Sequence, residues 1–142
     1  PSIAQIPDLT TFSATREAAR RAFEAAGLTP GDVDVVELHD CFSVAQAIDL
    51  EDLGLTEAGT ALREVGEGRY THGGVGPLVN PSGGLLSRGH PVGATGLAQV
   101  HEIVQQLRGR STNQAGSARV GLAHNLGGAG ATATVTLLEA TA

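Results

Sequence analysis

The sequence predicts an α/β fold in which helices pack on a sheet of about four strands. Three observations carry that prediction. Apolar residues make up 41% of the 142 and charged residues 17%, which is enough apolar surface for one core and too little charge for a disordered chain. Twenty glycines stand beside 3% aromatics, so the core must be Ala, Val, Leu and Ile with backbones approaching closely. Stretches of helical period also alternate with short runs of strand period. The length suits one domain over 1–142, with 1–12 an irregular lead-in because Ile3 and Ile6 flank nothing periodic and Pro7 follows.

The first helix is expected over 13–26, with Ser13 as N-cap, an apolar stripe of Ala18, Ala22, Phe23 and Ala26, and Gly27 as the left-handed stop. Thr29-Pro30-Gly31-Asp32 is turn chemistry, and Val33, Val35, Val36 and Leu38 form a nearly buried strand. Helical spacing resumes over 43–53 through Val44, Ala47 and Ile48, and Gly54 closes it. Residues 56–65 form a short helix, and 66–84, dense in glycine with Pro77 and Pro81, an ordered loop or lid. Gly83 to Leu86 reads as a brief strand. A strong helix follows over 93–108 through Leu97, Val100, Ile103, Val104 and Leu107, stopped by Gly109. After a polar loop at 110–117, Arg119 to His124 and Ala131 to Leu138 read as neighbouring strands joined by 125–130.

Composition excludes several function classes. The nine basic residues are all Arg, so a Schiff-base, pyridoxal-phosphate or P-loop lysine cannot come from this chain. A net charge of −6 with no basic run argues against nucleic acid. One cysteine, Cys41, allows neither an internal disulfide nor a zinc set, which points to a reducing cytoplasm, and no apolar stretch is long enough to span a membrane.

Gly128-Ala129-Gly130-Ala131-Thr132-Ala133 matches a dinucleotide fingerprint, but strand periodicity follows it where that fingerprint needs a helix, so a tight strand connection is the better reading. His39, Asp40, Cys41, His72, His90 and His124 are metal-ligand types at spacings that match no metal motif, so no metal and no cofactor are expected. Ser82, in Asn80-Pro81-Ser82-Gly83-Gly84, belongs to a turn and not to a nucleophile elbow. What remains is three polar loops at strand ends or glycine turns, each with a histidine: His39-Asp40-Cys41-Phe42, the loop from Gly89-His90-Pro91 to Gly96, and Ala123-His124-Asn125-Leu126-Gly127-Gly128. Pro91 stiffens one side of His90 and glycines open the other, which suits a group that stabilises an oxyanion or activates a thiol.

Those same segments resemble the C-terminal half of thiolases of the sterol carrier protein type, from about Thr15 to Leu138. G-H-P-x-G-A-T-G is characteristic of thiolases, and H-D-C-F marks this subfamily. The resemblance implies the C-terminal half of a thiolase-like fold, a mixed sheet with helices on its faces. It implies that His90 activates a nucleophilic cysteine and holds the thioester oxygen, and that His39 helps form a second oxyanion site through a water. It gives the acid/base role to Cys41, whose position at a helix N-terminus beside histidines is expected to lower its pKa. His124 joins the catalytic set, with Asn125, Gly93 and Gly128 binding substrate.

The resemblance further implies a nucleophilic cysteine and much of the coenzyme A site in an N-terminal half that this chain lacks. Its sheet is expected to be one strand short for want of a leading strand before Ser13. The expected activity is the C-terminal share of 3-ketoacyl-CoA thiolysis, acyl transfer to coenzyme A as substrate, in fatty-acid or sterol side-chain degradation. A thiolase-like aldolase on 3-hydroxyacyl-CoA and a non-catalytic binding subunit are the alternatives. Expected partners are an acyl-CoA and an N-terminal thiolase half or partner subunit, in a homo- or hetero-oligomer.

Overall fold

The computed structural model describes residues 8–141. The elements in chain order are α1 (Ser13–Ala26), β1 (Val35–Glu37), α2 (Ser43–Asp52), α3 (Ala61–Gly66), β2 (Leu78–Val79), α4 (Gly84–Arg88), α5 (Thr95–Leu107), β3 (Val120–Gly127) and β4 (Thr132–Glu139). The four strands form one mixed sheet in the order β2-β1-β3-β4, with β1 parallel to both neighbours and β4 antiparallel to β3. This is the α/β arrangement expected, and the last two strands pair along their whole length. A strand within 1–7 falls outside the described residues.

Successive residues of β1 point to opposite faces, which gives the sheet a core on each side. Val36 joins Phe23, Leu38, Leu50, Leu53 and Leu122 under α1 and α2. Val35 joins Ile103 and Ala123 under α5. Gly121 lets α5 approach, since a Cβ there would overlap the Ile103 side chain. In β4 the exposed Thr132, Thr134 and Thr136 alternate with half-buried Ala133, Val135 and Leu137, as the period-2 pattern required.

Several expectations need correction. Ser13 is the first residue of α1 and not its cap. Phe12 occupies that position, and its N–H donates to Asp52 Oδ2 of α2. The strand expected from Val33 starts at Val35, because Pro30–Asp32 winds into a 3-10 turn closed by Thr29 N–H on Asp32 Oδ2 at 2.7 Å. The loop 66–84 contains strand β2. The stretch expected as a strand over Gly83 to Leu86 caps and opens a helix instead: Gly83 is the left-handed N-cap, Gly84 opens α4 at positive φ, and the Leu85 N–H donates to Asp40 Oδ1 at 2.7 Å. Strand β3 runs on through Gly127, so Asn125 lies in a strand and not in the connecting loop.

Candidate active site

The site forms at the C-terminal end of β1, where ligands gather in open α/β sheets. Val36 and Glu37 are fully buried, which pins the chain immediately before His39. Glu37 pairs with Ala123 of β3, so two residues on, His39 lies level with Asn125. The turn at Asn80-Pro81-Ser82 is fastened to the same strand end. The Leu38 N–H donates to Asn80 Oδ1 at 2.8 Å, and Ser82 donates to Glu37 through its N–H at 3.0 Å and its hydroxyl at 2.7 Å. Burial pushes the Glu37 carboxyl above its ordinary value, against those two donations and nearby Arg88. The fastened turn leads through α4 into the loop that carries His90.

Four of the expected residues meet there. The His39 and His90 rings lie edge to face with centroids 4.9 Å apart. Asn125 Nδ2 is 3.2 Å from His39 Nδ1, and the His39 N–H donates to His124 Nδ1 over a long 3.5 Å. His90, exposed to solvent, has its Nδ1 2.7 Å from the Thr95 hydroxyl at the start of α5. His39 is 5% exposed. Burial first, then the neighbouring His90, lowers its pKa, which keeps it neutral at pH 7.

His124 has no exposed surface and stands behind His39. Its Nε2 is 3.1 Å from the Thr15 hydroxyl, which donates to Asp49 Oδ1 at 3.0 Å. The N–H of His39 only donates, so His124 Nδ1 accepts and Nε2 carries the ring proton. Burial drives the His124 pKa down to about 3 and lifts Asp49 to about 7. Their 3.7 Å approach is therefore not an ion pair, because the His124 ring stays uncharged.

Cys41 is half-buried at the entry to α2 and free. No hydrogen bond among the described residues ties it to the histidines. The expected lowering of its pKa is overturned. Burial, followed by the charge of Asp49, pushes the thiol up, and the N–H groups of Phe42 and Cys41 offset this only in part. Gly93 lies in the exposed loop before α5, and Gly128 sits at positive φ in the turn after β3.

The sequence reading missed Thr15, Asp49, Thr95 and Gln99, all fully buried and polar. A cavity of about 650 Å³ lies beyond the other end of β1, bounded by Asp34, Arg69, His72 and Pro77, and holds none of the three site histidines. Among the described residues no group of three His, Cys, Asp or Glu side chains is placed to hold a metal ion. No helix of the described residues is long and apolar enough to cross a membrane.

Residues 1–140 match the sequence profile of the thiolase C-terminal domain-like family. The chain is 52% identical over 129 residues to an acetyl-CoA acetyltransferase of Methanothermobacter thermautotrophicus, covering 90% of this chain and 33% of that protein. It is 51% identical over 121 residues to sterol carrier protein 2 of Homo sapiens, covering 84% and 22%. Among solved structures it superposes on an Ltp2-ChsH2(DUF35) aldolase with a TM-score of 0.84 at 26% identity, covering 96% of this chain and 34% of that one. The chain thus spans about a third or less of these relatives. With the fold, the profile and the relatives in agreement, this chain belongs to the thiolase C-terminal domain-like family.

Proposed function

We propose that the domain supplies the oxyanion-stabilising and proton-transfer groups of an enzyme that cleaves a carbon–carbon bond in an acyl-CoA, thiolysis of a 3-ketoacyl-CoA being the first reading. The observation that carries it is the meeting of buried His39 and exposed His90 at 4.9 Å, brought from separate segments to one strand end. A cysteine thiolate outside this chain attacks the 3-keto carbon. The bond between C2 and C3 breaks, and its electron pair leaves on acetyl-CoA as the enolate. His90 takes the proton of that cysteine and holds the thioester oxygen, on which the enolate charge develops, while His39, through a water, stabilises the oxyanion that forms on the C3 oxygen as the thiolate adds. Cys41 gives its proton to the enolate carbon, a task suited to a thiol whose pKa is raised. The Cys41 thiolate left behind takes the proton of incoming coenzyme A, whose sulfur receives the acyl group and frees the nucleophile. His124, with no exposed surface, acts by holding His39 and not by touching substrate.

Likeness to the aldolase supports a second reading, retro-aldol cleavage of a 3-hydroxyacyl-CoA. The enolate and its stabilisation are the same, and no acyl-enzyme forms. The sterol carrier protein relatives support substrates with fatty or sterol side chains. The exposed Phe42, Val44, Val92 and Leu97, beside the site in sequence, support pairing with an N-terminal thiolase half or partner subunit. A single free thiol suits a reducing, cytoplasmic setting.

The test is an assay of the whole protein or complex that contains this chain, with 3-ketoacyl-CoA plus coenzyme A and separately with 3-hydroxyacyl-CoA. Acetyl-CoA and a shortened acyl-CoA from the first pair support thiolysis. An aldehyde or ketone from the second supports the aldolase. Thermal stabilisation by acyl-CoA with no turnover of either overturns both in favour of a binding subunit.

A further inference from the structure

We infer that Gln99 of α5 is a positioning residue which, acting through Asn125, fixes the ring proton of His39 on Nε2, the nitrogen left to the site. The consequence for turnover rests on the function proposed above; the position of the proton does not.

The chain of bonds starts from a group with one possible role. The backbone carbonyl of His124 only accepts, and Gln99 Nε2 donates to it at 2.8 Å. The Gln99 amide oxygen therefore faces the other way, 3.0 Å from the Asn125 side-chain nitrogen. Only the NH2 end of Asn125 meets an amide oxygen favourably. That same NH2 lies 3.2 Å from His39 Nδ1, and an amide nitrogen has no lone pair with which to accept. His39 Nδ1 must then be the bare, accepting nitrogen. Neutral His39 carries its proton on Nε2, since the bond made at one ring nitrogen decides the state of the other.

Gln99 has no exposed surface, and it sits one turn before fully buried Ile103 on the stripe of α5 that faces the sheet. A leucine there would avoid the cost of desolvating an amide. Here both ends of the amide are used, the nitrogen on β3 backbone and the oxygen on Asn125. With the proton on Nε2, His39 offers a donor where negative charge develops on oxygen. With the proton on Nδ1 it would offer a lone pair to that charge and oppose it. The role of His39 as a donor is thus decided from α5, through Asn125.

The experiment uses the whole protein or complex with 15N-labelled histidine, each resonance assigned by single substitution. Wild type is expected to show His39 protonated on Nε2. Gln99→Met, which keeps the bulk and removes both polar ends, is expected to turn His39 into a mixture of the two tautomers. It should lower kcat roughly 10- to 100-fold with KM within about twofold, the range typical of removing an outer partner that orients a histidine. Asn125→Asp, which puts an acceptor against Nδ1, is expected to place a proton on Nδ1; it serves as the second variant if Gln99→Met does not fold. A wild-type His39 protonated on Nδ1 would overturn the inference. So would a fall in kcat for Gln99→Met with the His39 spectrum unmoved, which would make Gln99 a packing residue, or a moved spectrum with kcat unchanged. If neither acyl-CoA is turned over, the proposed function fails, and the spectra of the two variants still support or overturn the fixing of the proton.

Discussion

Thr15, Asp49 and His124 share a dry interior in which, through the acid range, the ring stays uncharged and the carboxyl keeps its proton. Burial pushes the His124 pKa to about 3 and the Asp49 pKa to about 7, so across the acid range the proton stays on the carboxyl and not on the ring. In an unfolded chain the ordinary values, 6.5 and 3.8, reverse that order. Between about 3 and 6.5 the unfolded chain binds a proton at His124 that the folded one refuses, so this residue makes stability rise with pH. Between 3.8 and about 7 the folded chain keeps a proton on Asp49 that the unfolded one releases, so this residue makes stability fall with pH. Over the shared window the two slopes oppose each other. Asp49→Asn removes only the second. The stability of this variant relative to wild type is therefore expected to grow from pH 4 to pH 7, by at most about 1.4 kcal/mol per unit. Urea unfolding at three pH values measures it, and a constant difference would mean that Asp49 is ionised in the fold. Cys41 supports a separate prediction. Because the thiol is half-buried and, among the described residues, bonds no other side chain, Cys41→Ala should change stability by less than about 1 kcal/mol while slowing carbon–carbon cleavage roughly 10²- to 10⁴-fold. Exchange of deuterium into the methyl group of acetyl-CoA should fall with it, and unchanged exchange would remove Cys41 from the proton path.

Helices are held here by one another more than by their own ends. None of α1, α2 and α5 has a side-chain cap at its N-cap residue. Helix α1 borrows Asp52 from α2 instead. That carboxylate, 1% exposed, accepts the Phe12 N–H, the Thr11 hydroxyl at 2.8 Å and Arg16 Nε at 2.9 Å. Asp52→Ala should cost about 2–3 kcal/mol, a lost cap plus an orphaned donor, and amide exchange should rise first in the opening turn of α1. The same borrowing explains what was legible in the sequence. Apolar period placed α1, α2 and α5 because their buried stripes are local, and alternation placed β4. The cap at Ser13 was misread because its replacement lies 40 residues away. Strand β2 is two residues long, too short for any period, and exists because β1 pairs with it. Helix α4 looked like a strand because its fixing point is Asp40, 45 residues back, and the positive φ of Gly84 leaves no mark beyond the glycine itself. At the site, the histidine loops were readable through their glycines and proline. Thr15 and Gln99 were not, since their partner His124 is 109 and 25 residues distant.

At the scale of the whole molecule, the segments that bring the histidines together also leave large apolar groups in water. Phe42 is 70% exposed, Val92 82% and Leu97 75%, and these stand within three residues of His39, within two of His90 and at the first turn of α5. A lone surface leucine is ordinary, but repeated large apolar exposure along one functional segment is the mark of a face that something covers. The chain also spans about a third or less of its relatives' length. Expressed alone, it is expected to self-associate or to co-purify with a partner, and light scattering that shows a well-behaved monomer would count against the covered face. Alone it should also fail to catalyse thiolysis, for a reason of roles and not of stability. Acyl transfer needs a thiolate that attacks the carbonyl and a second group that manages the proton at the departing carbon, on different sides of the breaking bond. This chain has one thiol, and the pKa of that thiol is raised, which suits giving a proton and not attacking. His90 and His39 then contribute charge stabilisation without a covalent step, worth about 10²- to 10³-fold of the acceleration an enzyme achieves. Mass spectrometry of the isolated chain incubated with a 3-ketoacyl-CoA and coenzyme A decides the point: no acyl adduct is expected, and turnover with an acyl group on Cys41 would reverse the roles given to the two sulfurs.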